Sequence, residues 1–163
     1  MAEPTPFALS RRFSQLIGRK VTFVQTTTEP LSKVKQLYGI YTVLPYETAI
    51  IVTADLPLLA SFAGALVGFP DCVVREHLRV TPMEELLRDA IFEVFNIASA
   101  AITTDGRAVF TKMVTDPAYI DGAAGLVFAR PSRRNYFNVS IDGYQGGRFA
   151  AFAQFTSLKI ATS

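Results

Sequence analysis

Cysteine is nearly absent from the chain. Cys72 stands alone among 163 residues, so no internal disulfide can form. That fits a reducing compartment and points to a cytoplasmic protein. No neighbouring motif would stabilise a thiolate, and Cys72 reads as a small buried hydrophobe. Histidine is as scarce. His77 has no companion His or Cys and no carboxylate at metal-ligand spacing, so no metal site is expected and His77 is assigned to a loop. A nucleophile triad that relies on histidine is equally unsupported. Charge is low as well: 18% of residues are charged, and the net charge is +2. Arg11-Arg12, Arg19-Lys20 and Arg133-Arg134 are pairs rather than a patch and read as solvated faces. Neither nucleic acid nor a membrane surface is therefore implied as a partner. The most apolar run, Leu56 to Phe69, is shorter than the roughly 20 residues a membrane span needs. The N-terminal residues lack the basic and apolar regions of a signal peptide.

What the chain has in quantity is core material. Half of its residues are apolar, enough for one domain of ordinary size. Residues 1–6 are expected to form a flexible tail, and residues 7–163 a single domain. Phe7 to Ile17 carries apolar residues at helical spacing and meets a stop at Gly18. Val21 to Thr27 reads as a strand, and Tyr38 to Leu44 with Thr48 to Thr53 as a hairpin turning at Pro45-Tyr46-Glu47. Leu56 to Val67 is predicted as a buried helix and Asp71 to Thr81 as a charged linker. A longer helix is predicted from Pro82 to about Ile102, with Thr81 as its cap and Glu84 at the capping-box position. The remainder is strand-like: Ala108 to Val114, Gly125 to Ala129, Tyr136 to Ile141 and Arg148 to Phe155. Turns are expected at Asp121-Gly122, Pro131-Ser132 and Gly146-Gly147. No sequence repeat is visible. Tight turns between successive strands favour antiparallel pairing. The expected fold is α+β, an antiparallel sheet covered by two long helices and a short one.

The second long helix carries the informative pattern. At about 100° per residue, Asp89, Glu93 and Asn96 fall within about 60° of one another. Leu87, Ala90, Val94, Phe95 and Ile97 point the other way. The helix therefore buries one face and offers two carboxylates and a carboxamide in a line. Ala100 continues that line with a small side chain that leaves room for a partner.

The spacing Asp-x-x-x-Glu-x-x-Asn, here Asp89, Glu93 and Asn96, resembles the active helix of the CheC/CheX/FliY phosphatases. The strand and hairpin that end at Thr53, and the Ala54-Asp55-Leu56-Pro57 junction into an apolar helix, resemble that family's arrangement too. So does the late hairpin through Gly147-Arg148-Phe149. Where the family often has glycine after the asparagine, this chain has Ala98-Ser99-Ala100-Ala101. The resemblance implies a CheX-like fold and a phosphatase acting on a phosphorylated response-regulator receiver domain such as CheY. It implies that Asn96 orients the attacking water, that Glu93 pairs with the receiver's active-site lysine, and that Asp89 shapes the contact at the mouth of the site. No cofactor of the chain's own is implied, because the receiver brings its own Mg²⁺. An acyl phosphate is already activated, so positioning a water suffices and no strong base is required.

Three other readings accompany this one, one of them a small-ligand binding domain, which a deep apolar pocket with few polar groups would favour. A surface helix with a single polar face is common, and the fold could serve as a non-catalytic module binding a receiver or a motility component. In the last strand Phe149 and Phe155 share one face with Ala151, while Phe152 and Ala150 share the other. An apolar edge joining a homodimer and burial on both faces within one domain explain that alternation equally.

Overall fold

Thr5 opens the first helix. Its hydroxyl accepts the Ala8 N–H at 3.1 Å, and Pro6 occupies the first helical position, where a missing N–H costs nothing. Helix α1 (Pro6–Ile17) ends at Gly18, whose φ of 67° is the left-handed conformation that closes a helix. The computed structural model describes residues 3–30, 33–46, 48–80, 84–103 and 105–154. In them α1 is followed by strands β1 (Val21–Thr26), β2 (Gln36–Leu44) and β3 (Thr48–Asp55), then by helices α2 (Leu56–Val67), α3 (Asp71–His77) and α4 (Glu85–Ala98). Strand β4 (Arg107–Val114), a single 3-10 turn at Pro117–Tyr119 and helix α5 (Gly122–Ala129) come next, and strands β5 (Arg133–Ile141) and β6 (Tyr144–Ala153) close the chain. The N-terminal tail is described from Glu3 onward. Pro4 is buried, and the Glu3 carboxylate accepts from Asn135 Nδ2 at 3.2 Å.

The six strands form one sheet in the order β1-β5-β6-β3-β2-β4, and every neighbouring pair is antiparallel. The expected α+β architecture is present. Its order also reveals a repeat that the sequence hides. Each half of the chain runs helix, edge strand, hairpin: α1, β1 and β2-β3 in the first, α4, β4 and β5-β6 in the second. The hairpins meet at β3 and β6 in the centre, and each edge strand pairs with the other half's hairpin. Phe13 of α1 lies 5.3 Å from Phe23 of β1, and Phe95 of α4 lies 5.7 Å from Phe110 of β4. Taking these two helix–strand ring pairs as counterparts under the internal two-fold of the strand order sets Arg11 of α1 at the place of Glu93 on α4.

Both faces of the sheet are covered. The larger core holds α1, α2 and α4 through Leu9, Phe13, Phe62, Ile91 and Phe95, packed on Phe23, Tyr41, Phe137 and Phe149. The smaller one holds α5 through Ala124 and Val127, packed on Ile40, Ile51 and Phe152. Phe149 and Phe152 thus serve opposite faces of one domain, and the alternation along β6 is explained without a dimer edge. Phe155 lies outside the described residues.

Several expected elements differ. Gly125 to Ala129, read as a strand, belongs to α5. A five-residue apolar run does not distinguish a strand from a buried helix, and Ala123-Ala124 extend it into a helical turn. The linker from Asp71 contains α3, which an Arg75–Asp71 ion pair of 2.7 Å supports one turn apart. Its inward position belongs to Val74, so Cys72 is exposed rather than buried. His77 sits in the last turn of α3 rather than in a loop, stacked on Phe69 with centroids 5.2 Å apart, and its Nδ1 is 2.5 Å from Glu84 Oε2. Gly146 and Gly147 lie within β6, and the turn is made at Asp142-Gly143. A Cβ on Gly146 would stand 2.3 Å from the Val139 carbonyl oxygen, so close backbone approach explains that glycine. Helix α4 is shorter than expected. The Thr81 cap, Pro82 and Met83 lie outside the described residues, and Glu84 precedes the helix instead of lying within its first turn.

Candidate functional site

Helix α4 separates its residues as its periodicity demands. Leu87, Ala90, Ile91, Val94, Phe95 and Ala98 are buried against the sheet and α2. Ile97, expected among them, is half-buried at the margin. Asp89, Glu93 and Asn96 are all exposed on the opposite side. No described residue forms a hydrogen bond or an ion pair with any of the three side chains. The carboxylates and the amide are thus available to a partner rather than committed to each other.

Ala100 lies beyond the helix end. Ser99, Ala100 and Ala101 donate to Asn96, Ile97 and Ala98, a tightening to three-residue bonds that terminates α4. Ala100 remains exposed and lines a groove of about 280 Å³ with Phe7, Ala8, Arg11, Arg12 and Gln15 of α1. Beside the stripe Phe92 keeps 47% of its surface exposed while its ring meets Phe110 edge-on at 4.7 Å. The surface therefore combines polar groups with an aromatic flank, the mixture found at protein contacts.

Two residues of β2 fix the C-terminal end of α4, and the sequence alone did not single them out. The last carbonyls of a helix have no intrahelical donor. The Ser99 N–H goes to Asn96 and Ile97, and the Phe95 carbonyl is met by the buried Tyr41 hydroxyl at 2.6 Å. At Gly39 a Cβ would lie 2.5 Å from Phe95 Cδ1. Only glycine lets the Phe95 ring rest on the strand there. Asn96 is the next residue, so these two contacts set its height above the sheet. Gly39 did carry a signal, because glycine inside a strand pattern marks close approach. Tyr41 carried none.

The chemistry open to this stripe is positioning. A neutral amide can hold a water by donating to or accepting from it, and a carboxylate can receive a cation from a partner. Among the described residues no three His, Cys, Asp or Glu side chains are placed to hold a metal ion. No described helix is long and apolar enough to cross a membrane.

Solved structures share this architecture. Thermotoga maritima FliY matches with a TM-score of 0.55 at 13% identity, over 90% of this chain and 82% of that one. The FliM middle domain from H. pylori matches with a TM-score of 0.52 at 9% identity, over 91% and 84% of the two chains. A chain of the FliG-FliM complex from H. pylori also gives 0.52, at 8% identity over 90% and 84%. No family model matches the sequence, and no curated protein matches it. The fold is thus the one seen in FliY and in the FliM middle domain, and the resemblance read from Asp89, Glu93 and Asn96 is met at that level.

Proposed function

We propose that this chain hydrolyses the aspartyl phosphate of a response-regulator receiver domain, in chemotaxis or a related two-component pathway. One observation carries the reading: Glu93 and Asn96 stand exposed, one turn apart and without partners among the described residues, on a helix whose opposite face is locked into the core. The Asn96 carboxamide orients a water in line with the phosphorus. The water oxygen bonds to phosphorus as the bond from phosphorus to the aspartyl oxygen breaks. The electron pair stays on the aspartate, and inorganic phosphate leaves carrying both of the water's protons on its oxygens, one of which it then gives up to solvent. Glu93 receives the receiver's lysine and so fixes the docking geometry, with Asp89 and Ala100 shaping the surrounding contact. Mg²⁺ belongs to the receiver, where it neutralises the phosphoryl oxygens.

The test follows loss of phosphoryl label from a panel of receiver domains. The wild-type chain should accelerate decay for at least one of them, and Asn96→Ala should return it to the spontaneous rate. A second reading is a non-catalytic interaction module. It draws on the fold shared with the FliM middle domain and with a chain solved in a FliG-FliM complex. Binding of a receiver without accelerated decay would favour that module.

A further inference from the structure

We infer that the groove between α1 and the C-terminal end of α4 docks a carboxylate-rich segment of the receiver partner, beside its phosphorylated face. This inference rests on the reading of Glu93 and Asn96 as the receiver-facing site and extends its footprint onto α1.

Residues Phe7, Ala8, Arg11, Arg12 and Gln15 recur at the spacing of one helical face, and that face borders Ala100. Arg11 and Arg12 are exposed, and neither forms an ion pair with a described residue. Phe7, at the groove's end, is 74% exposed. An aromatic ring and two guanidinium groups around a small-residue floor are the residue types that dominate contact energies. The floor at Ala100 lies about 6–8 Å beyond Asn96, at about 1.5–2.0 Å per residue through the tightened end of α4. The groove and the stripe therefore form one continuous surface.

Along the line from Asp89 through Asn96 into the groove the charges are ordered, with the exposed Arg88 set one turn before Phe92, to the side of that line. Asp89 and Glu93 lead, Asn96 is neutral, and Arg11 and Arg12 follow. A partner matching this strip presents a cation opposite Glu93, its phosphoryl group at Asn96 and carboxylates opposite the arginines. Reversed placement would set like charges together at both ends, so the gradient selects one orientation. The internal two-fold sharpens this point. Arg11 stands where α4 has Glu93, so α1 offers the opposite charge rather than a second copy of the stripe.

The test compares wild type, the doubly substituted Arg11→Glu/Arg12→Glu chain and Asn96→Ala, with folding checked by circular dichroism. Each is titrated against the receiver panel, following both label loss and fluorescence anisotropy, with phosphorylated and unphosphorylated receivers. Reversing the two charges should raise the chain concentration for half-maximal decay about tenfold and leave the limiting rate unchanged. Asn96→Ala should do the opposite, losing the limiting rate while still binding. An unchanged half-maximal concentration in the charge-reversed chain overturns the groove and leaves the phosphatase reading standing. Arginine-dependent binding without faster decay upholds the groove and overturns the phosphatase. A loss confined to phosphorylated receivers overturns the acidic segment in favour of direct contact with the phosphoryl group. Absence of any binding overturns both, whereas salt-sensitive self-association that the charge reversal abolishes overturns the groove alone and assigns it to a second copy.

Discussion

The Tyr41 hydroxyl donates to the Phe95 carbonyl oxygen at 2.6 Å, one residue before Asn96. Tyr41 has 0% of its surface exposed, so no water can replace that donor if it is removed. Tyr41→Phe should therefore cost about 1–3 kcal/mol, the penalty of leaving a buried carbonyl unmet. Urea unfolding measures the loss. Amide exchange at Ser99 and Ala100 should also quicken, because the bond closes the end of α4. Unchanged exchange there would show that the helix end is held by packing alone.

The same residue gives the protein an alkaline limit. Burial holds the Tyr41 phenol well above its ordinary pKa of 10.0, because the phenolate would be desolvated. The folded state then keeps its proton where the unfolded chain releases it. Stability from this source is complete below pH 10 and is lost as pH rises above it. Tyr38 and Tyr136 are also raised, first by burial, so the informative quantity is a difference. Unfolding free energies of wild type and Tyr41→Phe should converge as pH climbs past 10. A constant gap would place the titration elsewhere.

Gly39 supports Asn96 from beneath. Gly39→Ala drives a Cβ into the Phe95 ring at 2.5 Å, which forces the ring and the helix end to shift. Overpacking of this kind costs about 1–3 kcal/mol. Positioning chemistry suffers further, since a displacement near 1 Å can lower a rate about a hundredfold. Receiver dephosphorylation should fall in this variant even at temperatures where circular dichroism reports it folded. Full activity there would separate Asn96 from the β2 contact.

These supports explain how legible the chain was. The stripe could be read because a helix repeats its burial every 3.6 residues, and Asp89, Glu93 and Asn96 obey that period without outside help. Helix α2 was equally plain, bounded by its β-rich approach and by Gly68. Long-range contacts were not legible. Nothing local in Tyr41 announces a bond to residue 95, and Cys72 looks like core until Val74 is seen to take the inward position. The internal two-fold escaped for a related reason: it is a repeat of strand order, and Arg11 against Glu93 shows how far the side chains have diverged. The run from Gly125 failed because five apolar residues satisfy both periods.

Exposure separates function from folding at the stripe. Glu93→Gln and Asn96→Ala remove groups that bond to no described residue, so each should leave stability within about 0.5 kcal/mol of wild type. Receiver dephosphorylation should fall about a hundredfold with Asn96→Ala if the amide places the water. Urea midpoints and label-decay rates on the same preparations decide the matter. A large stability loss with either substitution would return the stripe to an ordinary structural role.

Helix α5 offers a test of the fold on the other face of the sheet. As a helix it turns Ala124 and Val127 toward Ile40 and Ile51, while Ala123 and Leu126 face out, with Leu126 76% exposed. In a strand, Ala124 and Val127 would lie on opposite faces, because side chains alternate. Aspartate substitution at each of the four positions therefore discriminates the two structures. Ala124→Asp and Val127→Asp bury an unpaired charge and should each cost several kcal/mol. Ala123→Asp and Leu126→Asp should change stability by no more than about 0.5 kcal/mol. The helix predicts a penalty three residues apart, and a penalty at every second residue would require a strand in its place.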